Sequence, residues 1–283
     1  MKHVVMIWLL LSVSGAQAKT IRLNIQTAIR QKLVNARVES LGGHRGFCLD
    51  LKVKNLTKDS LIILVEAGTR MIAGDAREQD ILLVKEETLK LRGGQDRAIQ
   101  LKGYCCQASD RSPAVKSRFE VGGRADSALW ALARRFSDTP FDGDIEQQAV
   151  WAISDRRSTA SIPLGDDSCA RELRKFVSLL KNEPVPWYAT EVFSHIYSNG
   201  VIEQFATYVS GSLTYISHEE CYSTFMVLDS AGQKVAFIKQ QWLKPGAGQQ
   251  YHFRVPVGGL AKGRYYVQLS GKGTILVRKE FDI

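Results

Sequence analysis

The sequence has few histidines, no long apolar run after its first residues and no concentrated basic segment. None of the four histidines after residue 18 is spaced with a cysteine or another histidine as in a metal motif, so we expect no metal site and no cofactor. No later stretch approaches the roughly 20 apolar residues of a membrane-spanning helix. The positive charge is spread along the chain, and we expect no nucleic-acid partner.

Local signatures of common enzyme classes are also missing. The glycine clusters LGGHRG, RGGQ and VGGR match no phosphate-binding loop, and YVSGSL is not a nucleophile elbow because Ser210 lacks the preceding glycine. The acidic DGDIE lacks the spacing of a calcium loop, and we interpret Asp144 as a helix N-cap. No catalytic residue is therefore assigned. Paired carboxylates of a glycosidase are often distant in sequence, so a secreted hydrolase stays an alternative.

The first 18 residues, MKHVVMIWLLLSVSGAQA, have the composition of a secretory signal. A basic start precedes an apolar run from Val4 to Val13 and a small-x-small ending at Ala16-Gln17-Ala18. We expect cleavage after Ala18 and a secreted or periplasmic protein. No cysteine follows that point, so we expect no lipid anchor there.

Five cysteines in an exported chain predict disulfides, because oxidising compartments preserve them. An odd number leaves at least one cysteine unpaired or paired between chains. Cys48 with Cys105 or Cys106 would close one loop, and Cys169 with Cys221 is the other candidate pair. The sequence does not choose among these pairings.

Residues 19–112 alternate apolar and polar side chains in short runs, which predicts strands. In FCLDLKVKNL, the side chains of Phe47, Leu49, Leu51 and Val53 are predicted to share one face. Similar runs recur between glycines, asparagines and aspartates. This spacing favours an antiparallel, immunoglobulin-like β-sandwich.

Residues 113–183 change to a helical spacing of apolar side chains. Three short amphipathic helices are predicted in ADSALWALARRF, DIEQQAVWAIS and DSCARELRKFVSLLKN, with Asp144 and Ser168 as N-caps. We expect this segment to pack on the first domain. Pro184 and Pro186 then predict a linker over residues 184–190.

Residues 191–283 return to strand patterning. Hairpins are predicted to turn at Asp229 to Gly232 and at Ser270 to Gly273. We interpret this part as a second sandwich. The predicted fold class is therefore mainly β, with two immunoglobulin-like β-sandwich domains and a small three-helix middle segment.

Gln147 is the polar residue that the helical pattern marks most clearly. If Asp144 caps the helix, Gln147 shares a face with Val150 and Trp151 and is at least partly buried. A buried amide needs hydrogen-bond partners. We therefore predict that Gln147 clamps a loop backbone, such as the segment just after Cys106.

A short likeness offers a second interpretation of the same residue. EQQAVW is similar to the Gln-x-Ala-Ile-Trp helix motif of the thioester domains of bacterial surface adhesins, and FCLD and YCCQ resemble that family's aromatic-Cys-apolar element. In that family the cysteine sulfur attacks the glutamine side-chain carbonyl and forms an internal thioester, which later captures an amine on the host. The resemblance implies that Gln147 is the acyl half and that Cys105 or Cys48 is the thiol half.

The end of the chain carries another likeness, from VLDSAGQKVAFI to GRYYVQLSGKGTILVRKEFDI. Asp229 and Gly232 in the first hairpin, the Gly-x-Tyr element of Gly263 and Tyr265, and Lys279 make it similar to the C-terminal sorting domains of the bacterial type IX secretion system. The resemblance implies an export address that is removed or anchored at the cell surface. The chain departs from that family in lacking an Asn-Pro at the start and in its acidic ending, EFDI.

The aromatic residues and the net charge indicate which classes of partner the protein is expected to bind. Trp187, Tyr188 and Trp242 are candidates for stacking a sugar, and the alternative is that they belong to the core. A net charge of +9 favours anionic polysaccharide, lipid headgroups or another surface protein as partners, unless it serves solubility alone. We predict an exported, non-enzymatic protein that binds or adheres at the bacterial cell surface or envelope. The alternatives are a secreted hydrolase of polysaccharide or peptide and a structural component of an envelope machine.

Overall fold

The computed structural model describes residues 19–163 and 168–283. The predicted signal, residues 1–18, lies outside the described residues. Within the described ranges the chain is mainly β with few helices, so this part of the prediction is confirmed. No helix in these two ranges is both long enough and apolar enough to cross a membrane.

The first unit, residues 20–124, contains nine strands and one short helix. Six of the strands close into a barrel in the order β2-β3-β8-β6-β5-β9, and the others form a sheet in the order β1-β4-β7. The elements are β1 (Thr20–Asn24), α1 (Ile25–Arg30), β2 (Val34–Ser40), β3 (Arg45–Asn55), β4 (Ser60–Val65), β5 (Thr69–Ala73), β6 (Ile81–Leu83), β7 (Glu87–Leu91), β8 (Asp96–Cys105) and β9 (Arg118–Arg124).

The first unit contains a closed barrel, whereas the sequence predicted an open β-sandwich. β9 pairs with both β2 and β5 and so joins the two edges that an open sheet would leave free. Strands of a barrel and of a sandwich both bury one face, so the same alternation of side chains serves either arrangement. The immunoglobulin-like arrangement is therefore not confirmed for this unit.

One residue of the predicted inner face points outwards. Leu49, Leu51 and Val53 are buried, whereas Phe47 is 53% exposed. The register between β3 and β8 shifts between Phe47 and Leu49, so Cys48 and Leu49 both lie in the core. A β-bulge breaks strict alternation in this way, and the prediction for Phe47 was wrong for that reason.

Three helices and one 3-10 turn follow the barrel. They are α2 (Ser127–Asp138), α3 (Gly143–Ser154), the 3-10 turn (Thr159–Ser161) and α4 (Ser168–Lys181). The N-cap of α3 is Asp142 rather than the predicted Asp144, because the Asp142 side chain accepts a hydrogen bond from the backbone N–H of Asp144. The helices share a core with the barrel, in which Leu82 and Tyr104 contact a cluster that includes Leu132 and Val150.

The last unit contains seven antiparallel strands in two sheets, ordered β10-β11-β14 and β13-β12-β15-β16. Both predicted hairpins are present, and Asp229 Oδ1 caps the first by accepting from the N–H groups of Ala231 and Gln233. The strands are β10 (Tyr188–Ile196), β11 (Ile202–Ser217), β12 (Cys221–Asp229), β13 (Lys234–Leu243), β14 (Gly246–Pro256), β15 (Arg264–Gly271) and β16 (Thr274–Asp282).

Candidate functional site

Helix α3 places Gln147 against the end of strand β8. Gln147 is 2% exposed. Its Nε2 donates to the carbonyl oxygen of Cys105 at 2.9 Å, and its Oε1 accepts from the N–H of Cys105 at 3.3 Å. The N–H of Cys105 also donates to the carbonyl oxygen of His44 at 3.0 Å, so the amide of Gln147 adds to the backbone pairing at the end of β8. The side chain therefore clamps the backbone of Cys105.

The three cysteines of the barrel lie on two sides of its wall. The side chains of Cys48 and Cys105 belong to the barrel core, and that of Cys106 belongs to the core shared with the helices. Burial raises the pKa of Cys48 to about 12 and that of Cys105 well above its ordinary value. Since the thiolate is the attacking form, neither thiol is activated as a nucleophile at neutral pH in this arrangement.

The predicted disulfides are not formed. No two of the cysteines in the described ranges are bonded to each other. Cys169 is exposed on α4, whereas Cys221 is buried in the core of the C-terminal sheets. Cys106 faces the helices while Cys48 faces the barrel interior, which explains why that pair does not meet.

A buried carboxylate lies beside Gln147 on the same helix. Glu146 is fully buried, and its Oε2 accepts from Lys102 Nζ at 2.8 Å and from the hydroxyl of Tyr104. Its Oε1 accepts from the N–H of Phe141 at 2.8 Å. Burial, together with the hydrogen bond to Glu146, raises the pKa of Tyr104. The sequence indicated only a helix N-terminus here, because an acidic residue in a first helical turn is usually exposed.

His44 packs on the other end of α3. Its ring stacks on Trp151 with the centroids 6.1 Å apart, and the Arg157 guanidinium lies 4.9 Å from the same indole. Burial, and secondly the charge of Arg45, lower the pKa of His44 below its ordinary value of 6.5. The folded chain therefore binds a proton at His44 less readily than the unfolded chain does.

This shift predicts a loss of stability in mild acid. Below pH 6.5 the unfolded chain binds more protons at His44, so the free energy of unfolding falls as the pH drops towards the folded pKa. We expect a smaller fall in His44→Phe, which keeps a ring against Trp151 but does not titrate. Urea unfolding of both proteins at roughly pH 7 and pH 5 measures the difference. Equal falls in the two proteins would contradict the assignment.

A cleft separates the helical segment from the sheet β10-β11-β14. It comprises two adjoining cavities of about 660 and 610 Å3, which share the lining residues Ser161, Thr190 and Val192. The first cavity extends to Arg157 and Lys262, and the second to the residues at the start of α3. We call the two cavities together the helix–sheet cleft. Its size is typical of ligand sites, which often lie at such junctions.

Two buried oxygen atoms of residues that line the helix–sheet cleft have no hydrogen-bond partner in the part of the chain that the structure describes. They are Oγ1 of Thr190 and Oε1 of Gln148, on opposite walls of the smaller cavity. Carboxylates at its rim are already paired, Asp144 with Arg45 and Glu191 with Arg254. The rim of the smaller cavity therefore carries no uncompensated carboxylate, and the two oxygens are themselves closed off from solvent.

The predicted stacking residues do not form one platform. Tyr188 is 7% exposed and belongs to the core, where it packs against Phe281. Trp187 packs on Tyr188, and its Nε1 donates to the carbonyl oxygen of Glu280 at 2.8 Å. Trp242 is 64% exposed on β13 and pairs across the strands with Tyr222.

No family model matches the chain, and no curated protein matches it. In the described ranges no group of three or more histidine, cysteine or acidic side chains could hold a metal ion.

Proposed function

We propose that this chain is an exported, non-enzymatic binding protein of the bacterial cell surface or envelope, and that it holds its ligand in the helix–sheet cleft. The observation that carries the proposal is the cleft itself, because two adjoining cavities of about 660 and 610 Å3 lie between the helical segment and the β10-β11-β14 sheet. Ligand sites are commonly concave cavities of this size at such junctions.

The C-terminal sheets supply one wall of the cleft in this proposal. Their three and four antiparallel strands enclose one core, an arrangement typical of immunoglobulin-like sandwiches that present binding surfaces. The last strands also carry the segments that resemble sorting domains, and we propose that they direct export to the surface. The expected partner is another surface protein, with anionic polysaccharide and lipid headgroups as the other classes.

A second candidate function rests on the contact between Gln147 and Cys105. An adhesin that anchors itself through an internal thioester needs a glutamine amide next to a cysteine, and the amide of Gln147 meets the backbone of Cys105. The high pKa of the Cys105 thiol weighs against this candidate. The structural and the reactive interpretation of Gln147 predict different masses for the intact protein.

Blocking the cleft tests the proposed function. Val192 lines both cavities, so Val192→Trp fills them with an indole ring while keeping good strand propensity. We expect about a tenfold loss of binding to envelope fractions of the producing bacterium, measured by co-sedimentation. The matched control is Val235→Trp on the exposed surface of β13, which should bind as the wild type does. Unchanged binding by a folded Val192→Trp protein would contradict the proposal.

A further inference from the structure

The helix–sheet cleft runs along one edge of a sheet. β10 pairs with β11 on one side only, because the sheet order is β10-β11-β14. The smaller cavity is lined by consecutive residues of β10 from Ala189 to Val192 and by Ser194. The opposite wall consists of the start of α3 and the residues after the 3-10 turn. An open strand edge thus faces a groove and not bulk solvent.

The orientation of the β10 backbone follows from two hydrogen bonds. The carbonyl oxygen of Tyr188 accepts from Arg174 Nη2, which lies on the helical side, away from β11. The N–H of Tyr197 donates to Val201, towards β11. Backbone groups of successive strand residues point to opposite sides in an antiparallel pair. Residues with even numbers therefore direct their N–H and C=O groups away from β11.

The even-numbered residues along the groove are Thr190, Val192 and Ser194. Their outward N–H and C=O groups have no hydrogen-bond partner among the described residues. They are spaced two residues apart, about 6.8 Å, which is the repeat of a β-strand. The backbone of another extended chain has N–H and C=O groups at the same spacing, so it can form hydrogen bonds with these unpaired groups.

We propose that β10 receives an extended, uncharged peptide segment of a partner protein, which adds a strand at Thr190, Val192 and Ser194 inside the helix–sheet cleft. This inference rests on the proposed function, because it names the class of ligand that the cleft holds. The carboxylates at the rim of the smaller cavity, Asp144 and Glu191, already pair with Arg45 and Arg254, so they select no charge on the peptide.

A single strand suits this site better than a second copy of the chain does. α3 and the 3-10 turn stand beside β10 in every copy. Two folded copies would bring these walls together before their β10 edges could pair. A flexible segment about five or six residues long, the usual length of a strand, has no such obstacle.

Backbone methylation of a peptide probe tests the pairing. The probe is a pool of fluorescein-labelled, uncharged heptapeptides of Thr, Val, Ser and Ala, titrated with the full chain and followed by anisotropy. An added strand turns alternate N–H groups towards β10. One methylated pool carries N-methyl groups on the odd-numbered residues of the peptide, and the other carries them on the even-numbered residues. One of the two pools should bind about tenfold more weakly than the unmethylated pool, and the other should differ from it less than about threefold.

Four results would overturn the inference. They are no binding of the unmethylated pool, equal binding of both methylated pools, displacement of the pool by an anionic polysaccharide, and a dimer that forms through β10. If Val192→Trp abolishes envelope binding while both methylated pools bind equally, the cleft binds a ligand but not by strand addition. If the methylation pattern holds while Val192→Trp leaves envelope binding unchanged, the strand site stands and the proposed function fails.

Discussion

Replacing Glu146 with alanine is expected to lower the free energy of unfolding by roughly 3 kcal/mol. The substitution would leave the ammonium of Lys102, the hydroxyl of Tyr104 and the N–H of Phe141 without their common acceptor. Removing one partner of a buried pair costs more than the pair itself contributes, because the remaining groups stay desolvated. Urea unfolding monitored by circular dichroism measures the effect.

Two variants make this prediction specific. Glu172→Ala removes an exposed carboxylate on α4 that pairs with Lys175, and it should leave stability nearly unchanged. Combining Glu146→Leu with Lys102→Met replaces the charge pair by apolar groups, and it should recover part of the loss. If Glu146→Ala were as stable as Glu172→Ala, the carboxylate would not organise the junction between β8 and α3.

The sequence predicted the local elements better than their assembly. The turns at Asp229 and Gly273 were visible because aspartate and glycine suit tight hairpins. The three helices were visible from their apolar spacing. Closure of the first unit into a barrel was not, because it depends on the pairing of β9 with two distant strands. The alternation of side chains within one strand does not indicate which other strands it pairs with.

The sequence predicted the part of the candidate site that lies within a single helix, but not the part that several elements form together. The burial of Gln147 followed from its place on the apolar face of α3. The helix–sheet cleft joins α3, the 3-10 turn and β10, and no local pattern links these segments. Arg174 illustrates the same limit: it is fully buried and donates to Tyr188, although a charged residue on an amphipathic helix ordinarily faces water. Long-range packing overrides the local pattern at these positions.

Gln147→Ala is expected to lower the free energy of unfolding by roughly 2 kcal/mol. The variant removes the donor to the Cys105 carbonyl oxygen, which is buried, and leaves a space beside Trp151. The N–H of Cys105 keeps a second acceptor, the carbonyl oxygen of His44 at 3.0 Å, so the loss is smaller than for Glu146→Ala. Gln148→Ala on the same helix is the control for stability, because Gln148 Oε1 has no partner to lose.

The intact mass of the exported protein separates the clamp from a thioester. As a clamp, Gln147 keeps its amide nitrogen, because Nε2 donates to Cys105. In a thioester the Sγ of Cys105 or Cys48 bonds to the Gln147 amide carbon, the carbon–nitrogen bond breaks, and the nitrogen leaves as ammonia with the thiol proton. We expect the mass of the unmodified chain between its observed termini, unchanged by methylamine. A mass lower by one ammonia, which then rises as methylamine adds to the chain, would contradict the clamp and favour a covalent adhesin.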